Sequence, residues 1–283
     1  MKQKTYPTAL TIAGSDSGGG AGIQADLKTF SALGVYGASV ITAITAQNTC
    51  GVRAIQPILP EIIAAQADAV CSDITIDALK IGMLHSPQTV QIVADIIQKY
   101  KLPFVITDPV MVATSGDSLI LDETIRQMES LLFPLTTLLT PNIEEATRLT
   151  GIPIHSSDSL YRAGEALLAK GCRAVLMKGG HLGDNRKTDI FMQQGEKPLC
   201  LTSASILTVN SHGTGCTLSS AIAAFLSQGL SLTEAVKAAK EYIFQALSAG
   251  KDAYVGAGHG PVNHFFDPQK LTPSKNRYAD SCK

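Results

Sequence analysis

Short apolar, β-rich runs alternate with helical patterns along almost the whole chain, and this alternation constrains the fold more than any other feature. "TALTIAG", residues 8–14, predicts a buried strand. "AGIQADLKTFSALG" predicts a helix with Ile23, Leu27 and Phe30 on one face and Gly34 as its stop. "ASVITAIT" is a second strand, and "PEIIAAQADAVCSD" is a helix opened by a proline. "DALKIGM", "PFVITDPVM", "TTLLTPN" and "AVLMKGG" read as further strands, with a helix following "HSPQ". Helices near 122–132, 142–150 and 157–170 separate them, and two more, near 214–228 and 231–249, follow the last strands. Strand, helix, strand repeated this often implies a mostly parallel sheet with helices on both faces, a three-layer α/β/α sandwich. No linker, composition break or internal repeat divides the chain, so residues 1–283 are expected to form one doubly wound domain. The polar tail after about Pro268 is expected to be loose.

Composition removes several classes of function. An apolar content of 45% with 17% charged residues suits a soluble protein with a sizeable core. Lys plus Arg is 23 and Asp plus Glu is 24, with no basic run, so neither nucleic acid nor a membrane surface is an expected partner. The apolar stretch near the N-terminus is cut short by Asp16, too early for a signal peptide or a membrane span. Cys50, Cys71, Cys172, Cys200, Cys216 and Cys282 are scattered, with no C-x-x-C pair. That pattern suggests neither a zinc site nor a disulfide framework, and predicts a reduced, cytoplasmic protein.

In open sheets of this kind ligands bind at the carboxyl ends of the strands. The residues found there read "GSDSGGGAG", "AQN", "KIGM", "DPVM", "TPNIEEA", "MKGGH" and "HGTGC". The glycine-rich loop 14–22 lets backbone approach a ligand closely, but it lacks the Gly-Lys-Ser/Thr of a P-loop. Its "GAGIQA" fits a dinucleotide pattern, yet the next strand ends in Gln47-Asn48 without an acid for a ribose, so a plain turn is the better reading. Asp26, three residues past Ile23, is expected either in solvent or turned into the cleft. Gln47 is either a polar strand cap or an amide partner for a nitrogen heterocycle bearing an amino group. Asn142 and Glu145 have the spacing of a helix capping box, and equally that of a magnesium site completed by phosphates. Lys178, between an apolar strand and two glycines, must reach water or an anion, and phosphate is its natural partner here.

"NSHGTGCTLSSAIAAFL" sets Gly213, Thr214 and Gly215 at the head of an apolar helix, where free N–H groups and the helix dipole favour an anion. Cys216 follows directly. It is a small core filler, a thiol whose pKa the helix N-terminus depresses, or the partner of His212 in a hydrolase dyad.

Taken in order, these motifs resemble the hydroxymethylpyrimidine/phosphomethylpyrimidine kinases of bacterial thiamine biosynthesis, within the ribokinase-like superfamily. "LTIAGSDSGGGAGIQADLKTFSALGVYGASVITAITAQNT", "DALKIGML", "DPVMVATSGD", "LLTPNIEEA", "VLMKGGHL", "HGTGCTLSSAIAA" and "GHGPVNHFF" carry the resemblance nearly end to end. It implies ATP- and Mg²⁺-dependent phosphorylation of 4-amino-5-hydroxymethyl-2-methylpyrimidine, first to the monophosphate and then to the diphosphate. It also implies a homodimer. Gly14, Asp26, Gln47, Met83 and Val110 would line the pyrimidine site. Asn142 and Glu145 would organise magnesium, Lys178 and Thr214 would meet phosphate, Gly213 to Gly215 would form the anion hole, and Cys216 would act on the acceptor. A pyridoxal kinase and a non-catalytic ligand-binding relative are the rival readings.

Overall fold

The computed structural model describes residues 4–111, 120–180 and 186–275. Cys282, the end of "DPVMVATSGD" from Val112 on, His181 and Leu182, and the tail beyond Lys275 lie outside the described residues. In chain order the elements are β1 (Lys4–Thr5), β2 (Thr8–Asp16), α1 (Gly22–Ala32), β3 (Tyr36–Asn48), β4 (Gly51–Pro57), α2 (Pro60–Cys71), β5 (Ala78–Ile81), α3 (Pro87–Tyr100), β6 (Val105–Thr107) and α4 (Asp122–Gln127). There follow β7 (Leu138–Leu139), α5 (Ile143–Thr150), α6 (Ser157–Ala169), β8 (Ala174–Met177), β9 (Arg186–Gln193), β10 (Leu199–Ala204), α7 (Thr214–Ser227), α8 (Leu232–Gly250) and β11 (Ser274–Lys275).

Side chains alternate between two cores along the central strands, as a period of two requires. Leu10 and Ile12 of β2 and Leu79 and Ile81 of β5 join one core with α2, α3, α5 and α6. Ala9, Ala78 and Ile106 join the other with α1, α7 and α8. The nine strands run in the order β10-β9-β8-β7-β6-β5-β2-β3-β4. Neighbours from β8 to β3 are parallel, whereas β4, β9 and β10 run antiparallel to their partners. The expected three-layer architecture is therefore present, with antiparallel additions at both edges.

Two parts depart from expectation. The region 122–132 is the short α4 followed by a π-helical turn at Met128–Leu132, and "TTLLTPN" contributes only Leu138–Leu139 to the sheet. The tail is not loose as far as it is described. The slack expected after Pro268 is removed because the N–H of Gln269 donates to the carbonyl of Ala32 at 2.7 Å, satisfying the end of α1. Ser274 and Lys275 then pair with Thr5 and Lys4.

After β3 and β4 the chain returns to the other side of β2, so the order in which strands are added reverses between β2 and β5, which are themselves parallel. A crevice opens beyond the carboxyl ends at such a switch. Gly14, at a register shift in β2, faces Met83 across it, and a Cβ on Gly14 would lie 2.6 Å from the Met83 Cε. No helix among the described residues is long and apolar enough to cross a membrane.

Candidate active site

The glycine-rich loop after β2 is folded around a carboxylate. Asp16 accepts the N–H groups of Gly18 (2.8 Å), Gly20 (3.1 Å) and Ala21 (2.8 Å), and its Oδ2 lies 2.9 Å from His212 Nε2. Burial works against the charge on Asp16, but the His212 and backbone hydrogen bonds outweigh it and hold the pKa below its ordinary value. The loop's donors are thus spent on Asp16, which removes the dinucleotide reading. His212 is engaged by Asp16, 196 residues away in sequence, which removes the hydrolase dyad with Cys216. Gly213 has φ +78°, and a Cβ there would lie 1.8 Å from the carbonyl oxygen of Gly20. Only glycine permits this approach of the two loops.

The head of α7 is the place left for an anion. Gly213 is its N-cap and no side chain caps it. The N–H of Thr214 bonds Ser211 O at 3.2 Å and that of Thr217 bonds Gly213 O at 2.8 Å, so the amides of Gly215 and Cys216 are the ones a ligand would meet. The Cys216 thiol lies at the cleft wall. Burial pushes it up to about 11; the Lys80 charge opposes this, and Asp26 and Asp108 reinforce it. The expected depression by the helix N-terminus is therefore overturned: enclosure and two carboxylates outweigh one cation and the dipole.

Opposite α7 stand Asp108, after β6, and Lys178, after β8. Lys178 Nζ is 3.1 Å from Asp108 Oδ1 and 3.9 Å from Glu145 Oε2. Asn142 and Glu145 do form the capping box: Glu145 Oε2 accepts from the Asn142 N–H at 2.7 Å, and Asn142 Oδ1 accepts from the Glu145 N–H at 2.9 Å. Yet burial lifts Glu145 to about 7, Lys178 only partly offsetting it and the Asp108 charge adding to it. A carboxylate so short of positive charge suits a divalent cation. Among the described residues no group of three His, Cys, Asp or Glu could hold a metal unaided. Asp108 and Glu145 fit a Mg²⁺ ion only in the usual way, with phosphate oxygens completing its shell.

Gly14, Gln47, Met83 and Val110 come together on the remaining walls of this cleft, along with Asn142, Glu145, Lys178 and residues 213–216. The Gln47 Oε1 accepts from Thr45 Oγ1 at 3.1 Å, and its Nε2 lies 3.4 Å from His212 Nε2. Asp26 does not line the cleft with them. It is fully buried behind the wall, in a salt bridge with Lys80 at 2.8 Å, and it also accepts the hydroxyls of Thr11 and Ser220 at 2.6 Å each. Both alternatives read for Asp26, solvent and cleft, give way to this internal pair. Lys80, which does line the cleft, is with Asp16 and Asp108 among the residues the sequence reading missed. Burial alone would lower its pKa, but Asp26, with help from Cys216 and Asp108, holds it above the ordinary lysine value.

A second cavity adjoins the first and shares Asn142, Lys178 and Thr214 with it. Ile143, Ile243, Phe244 and Leu247 give it apolar walls, Lys187 adds positive charge, and Lys240 is paired with Asp189 on the same wall. Such a cavity suits a flat base with an anionic chain directed at Thr214.

Residues 16–263 match the family model described as Phosphomethylpyrimidine kinase. The chain belongs to the phosphomethylpyrimidine kinase family. It is 52% identical over 258 residues to the hydroxymethylpyrimidine/phosphomethylpyrimidine kinase of Rhizobium meliloti (strain 1021), covering 91% of this chain and 96% of that one. The crystal structure of a phosphomethylpyrimidine kinase from Clostridium difficile 630 is 47% identical with a TM-score of 0.75, covering 85% of this chain and 99% of the other. An ADP complex of Bacillus subtilis pyridoxal kinase is 36% identical with a TM-score of 0.84, covering 92% and 98%. The fold is ribokinase-like, and the chain is a kinase of this family.

Proposed function

We propose that this kinase transfers the γ-phosphoryl group of ATP to the hydroxymethyl of 4-amino-5-hydroxymethyl-2-methylpyrimidine, and then to the resulting monophosphate, in thiamine biosynthesis. The observation that carries this reading is the meeting of two cavities at Lys178, Thr214 and the amides of α7, with Cys216 on the acceptor side. Phosphoryl transfer requires positioning and charge neutralisation more than covalent chemistry. Lys178 and the α7 amides receive charge from the phosphoryl oxygens, and Asp108 and Glu145 would hold Mg²⁺. When bound, that ion neutralises phosphate charge. Coupled ADP release from the full chain, with and without Mg²⁺, tests the reading on the pyrimidine alcohol, its monophosphate and pyridoxal. Silence with both pyrimidines would overturn it. Gln47 and Met83 favour the pyrimidine over pyridoxal.

The cleft draws on residues from Gly14 to Cys216, which supports one working domain. The described cysteines are unpaired, which suits the cytoplasm. Exposed Ile44 on β3, with Leu59 and Ile62 at the head of α2, supports a homodimer, measurable by sedimentation equilibrium.

Gln47→Ala is expected to weaken pyrimidine binding by about 1–3 kcal/mol, because a heterocycle that loses its amide partner keeps a buried polar edge unpaired. ATP binding should hardly change. Calorimetric titration with each ligand checks this, and equal pyrimidine affinities would return Gln47 to a strand cap.

Glu145→Gln separates the two readings of "TPNIEEA". The glutamine oxygen can still accept from the Asn142 N–H, so α5 stays capped while the charge is lost. The Mg²⁺ concentration for half-maximal activity should rise on the order of 10-fold or more. An unchanged Mg²⁺ requirement would leave Glu145 with the cap alone.

A further inference from the structure

"GHGPVNHFF" carries part of the family resemblance, yet residues 256–260 line neither cavity. They bridge two walls of the acceptor site instead. The Gly258 N–H donates to Thr49 Oγ1 at 3.1 Å, and the His259 N–H to Thr49 O at 2.9 Å. Thr49 stands two residues past Gln47, in the turn between β3 and β4. At its other end the loop accepts the His212 N–H on Gly260 O at 3.0 Å. Asn210 Nδ2 fastens the base of the loop through Gly250 O at 2.8 Å and Ala253 O at 2.6 Å. There is no room for a side chain: a Cβ on Gly258 would lie 2.1 Å from Thr49 O, and one on Gly260 2.1 Å from Asn210 Oδ1.

The sheet alone does not fix Gln47. The β3–β4 register shifts between Ala46 and Gln47, and β4 is an edge strand with no neighbour beyond it in the sheet among the described residues. From the glycine-rich loop, Ser17 Oγ ties down the Gln47 backbone, donating to its carbonyl at 2.7 Å and accepting its N–H at 2.8 Å. The loop 256–260 ties the same turn from the opposite end.

We infer that residues 256–260 form a positioning clasp for the phosphoryl acceptor. Acting through Thr49 and His212, the clasp keeps the Gln47 amide at a set distance from the head of α7, so that a ring held by Gln47 presents its hydroxymethyl to the phosphoryl group. Misplacement by about 1 Å is enough to slow such a transfer. The inference rests on the acceptor-site reading of Gln47 given above. The second cavity takes no residue from β3, the turn or the clasp, so damage to the clasp is selective.

The test compares Thr49→Val, which keeps the shape but loses the oxygen, with Thr49→Ser, which keeps the oxygen, and with Gly258→Ala. Steady-state kinetics on the full chain would vary the pyrimidine alcohol and ATP separately. Thr49→Val should raise KM for the pyrimidine alcohol about three- to tenfold while KM for ATP stays within about twofold, and Thr49→Ser should restore the parent value. Gly258→Ala should exceed Thr49→Val in the same direction; if it does not fold, the two Thr49 variants decide. Equal rises in both KM values, or Thr49→Ser as impaired as Thr49→Val, would reduce the loop to a general structural support and overturn the clasp. A parent enzyme that turns over the pyrimidine while all variants match it also overturns the clasp alone. A parent enzyme inactive on the pyrimidine defeats the functional reading itself.

Discussion

Cys216→Ala slows transfer to the pyrimidine alcohol by about 10²–10⁴-fold and slows transfer to the monophosphate far less. An alcohol becomes a competent nucleophile only as a base takes its proton, and Cys216 is the thiol on the acceptor side of the α7 amides. The monophosphate has a second pKa of about 6 and is already ionised at neutral pH, so it needs no base. The resting thiol, pushed up to about 11 by its enclosure, gives this expectation a second signature. The thiolate fraction grows about tenfold per pH unit below that value, so kcat/KM for the alcohol should climb between roughly pH 7 and 10. The monophosphate profile should lack that slope, and Cys216→Ala should abolish it for the alcohol. Separate timing of the two steps across this pH range is the measurement. Equal losses in both steps would make Cys216 a positioning group, and no loss would make it packing.

Lys80→Ala destabilises the protein by about 3–5 kcal/mol, because it leaves the Asp26 carboxylate in a dry interior without its cation. Both side chains of the pair are 0% exposed, and the hydroxyls of Thr11 and Ser220 cannot neutralise the remaining charge. For a chain of this length that corresponds to a melting temperature roughly 10 °C lower. The double variant Lys80→Met with Asp26→Leu should recover most of this loss, since apolar residues of similar size often replace a buried ion pair without penalty. Its effect on the Cys216 thiol should be small, because the double variant removes both the Lys80 charge that lowers that pKa and the Asp26 charge that raises it. Thermal unfolding of the three proteins is the check. A single-variant drop below about 1 kcal/mol would mean that water reaches the pair.

Much of this was legible in the residues. Strand and helix periods gave the layers, the strand ends gave Gln47, Asn142, Glu145, Lys178 and the "HGTGC" head, and the family resemblance added Gly14, Met83 and Val110. Lys80 had left a signal too: a lysine between Leu79 and Ile81 in an apolar strand demands a partner. Its partner, Asp26, is 54 residues away, and periodicity does not reach that far. Asp108 was visible in "DPVM", but its pairing with Lys178 belongs to the sheet order. β4 and β10 escaped because they are edge strands with weak burial, as the half-exposed alternation of "LCLTSA" displays, whereas β9, buried over Asp189–Met192, escaped because its polar start "RKTD" hides the apolar run. The Cys216 thiolate failed for a different reason. A helix N-terminus is a local feature, whereas the enclosure and carboxylates that outweigh it come from distant parts of the chain.

The close seating of Gly213 against Gly20 also fixes when, during synthesis, the protein becomes competent. As the chain leaves the ribosome, β2 and its glycine loop emerge early, and Asp16 must wait 196 residues for His212. Lys178 and Glu145 precede the α7 amides as well. A nascent or truncated chain ending before Gly215 therefore lacks α7 and α8, which supply most of the second core, together with the α7 amides proposed to meet the phosphoryl group. Core and site are thus completed by the same late segment, so the chain folds and gains its site together.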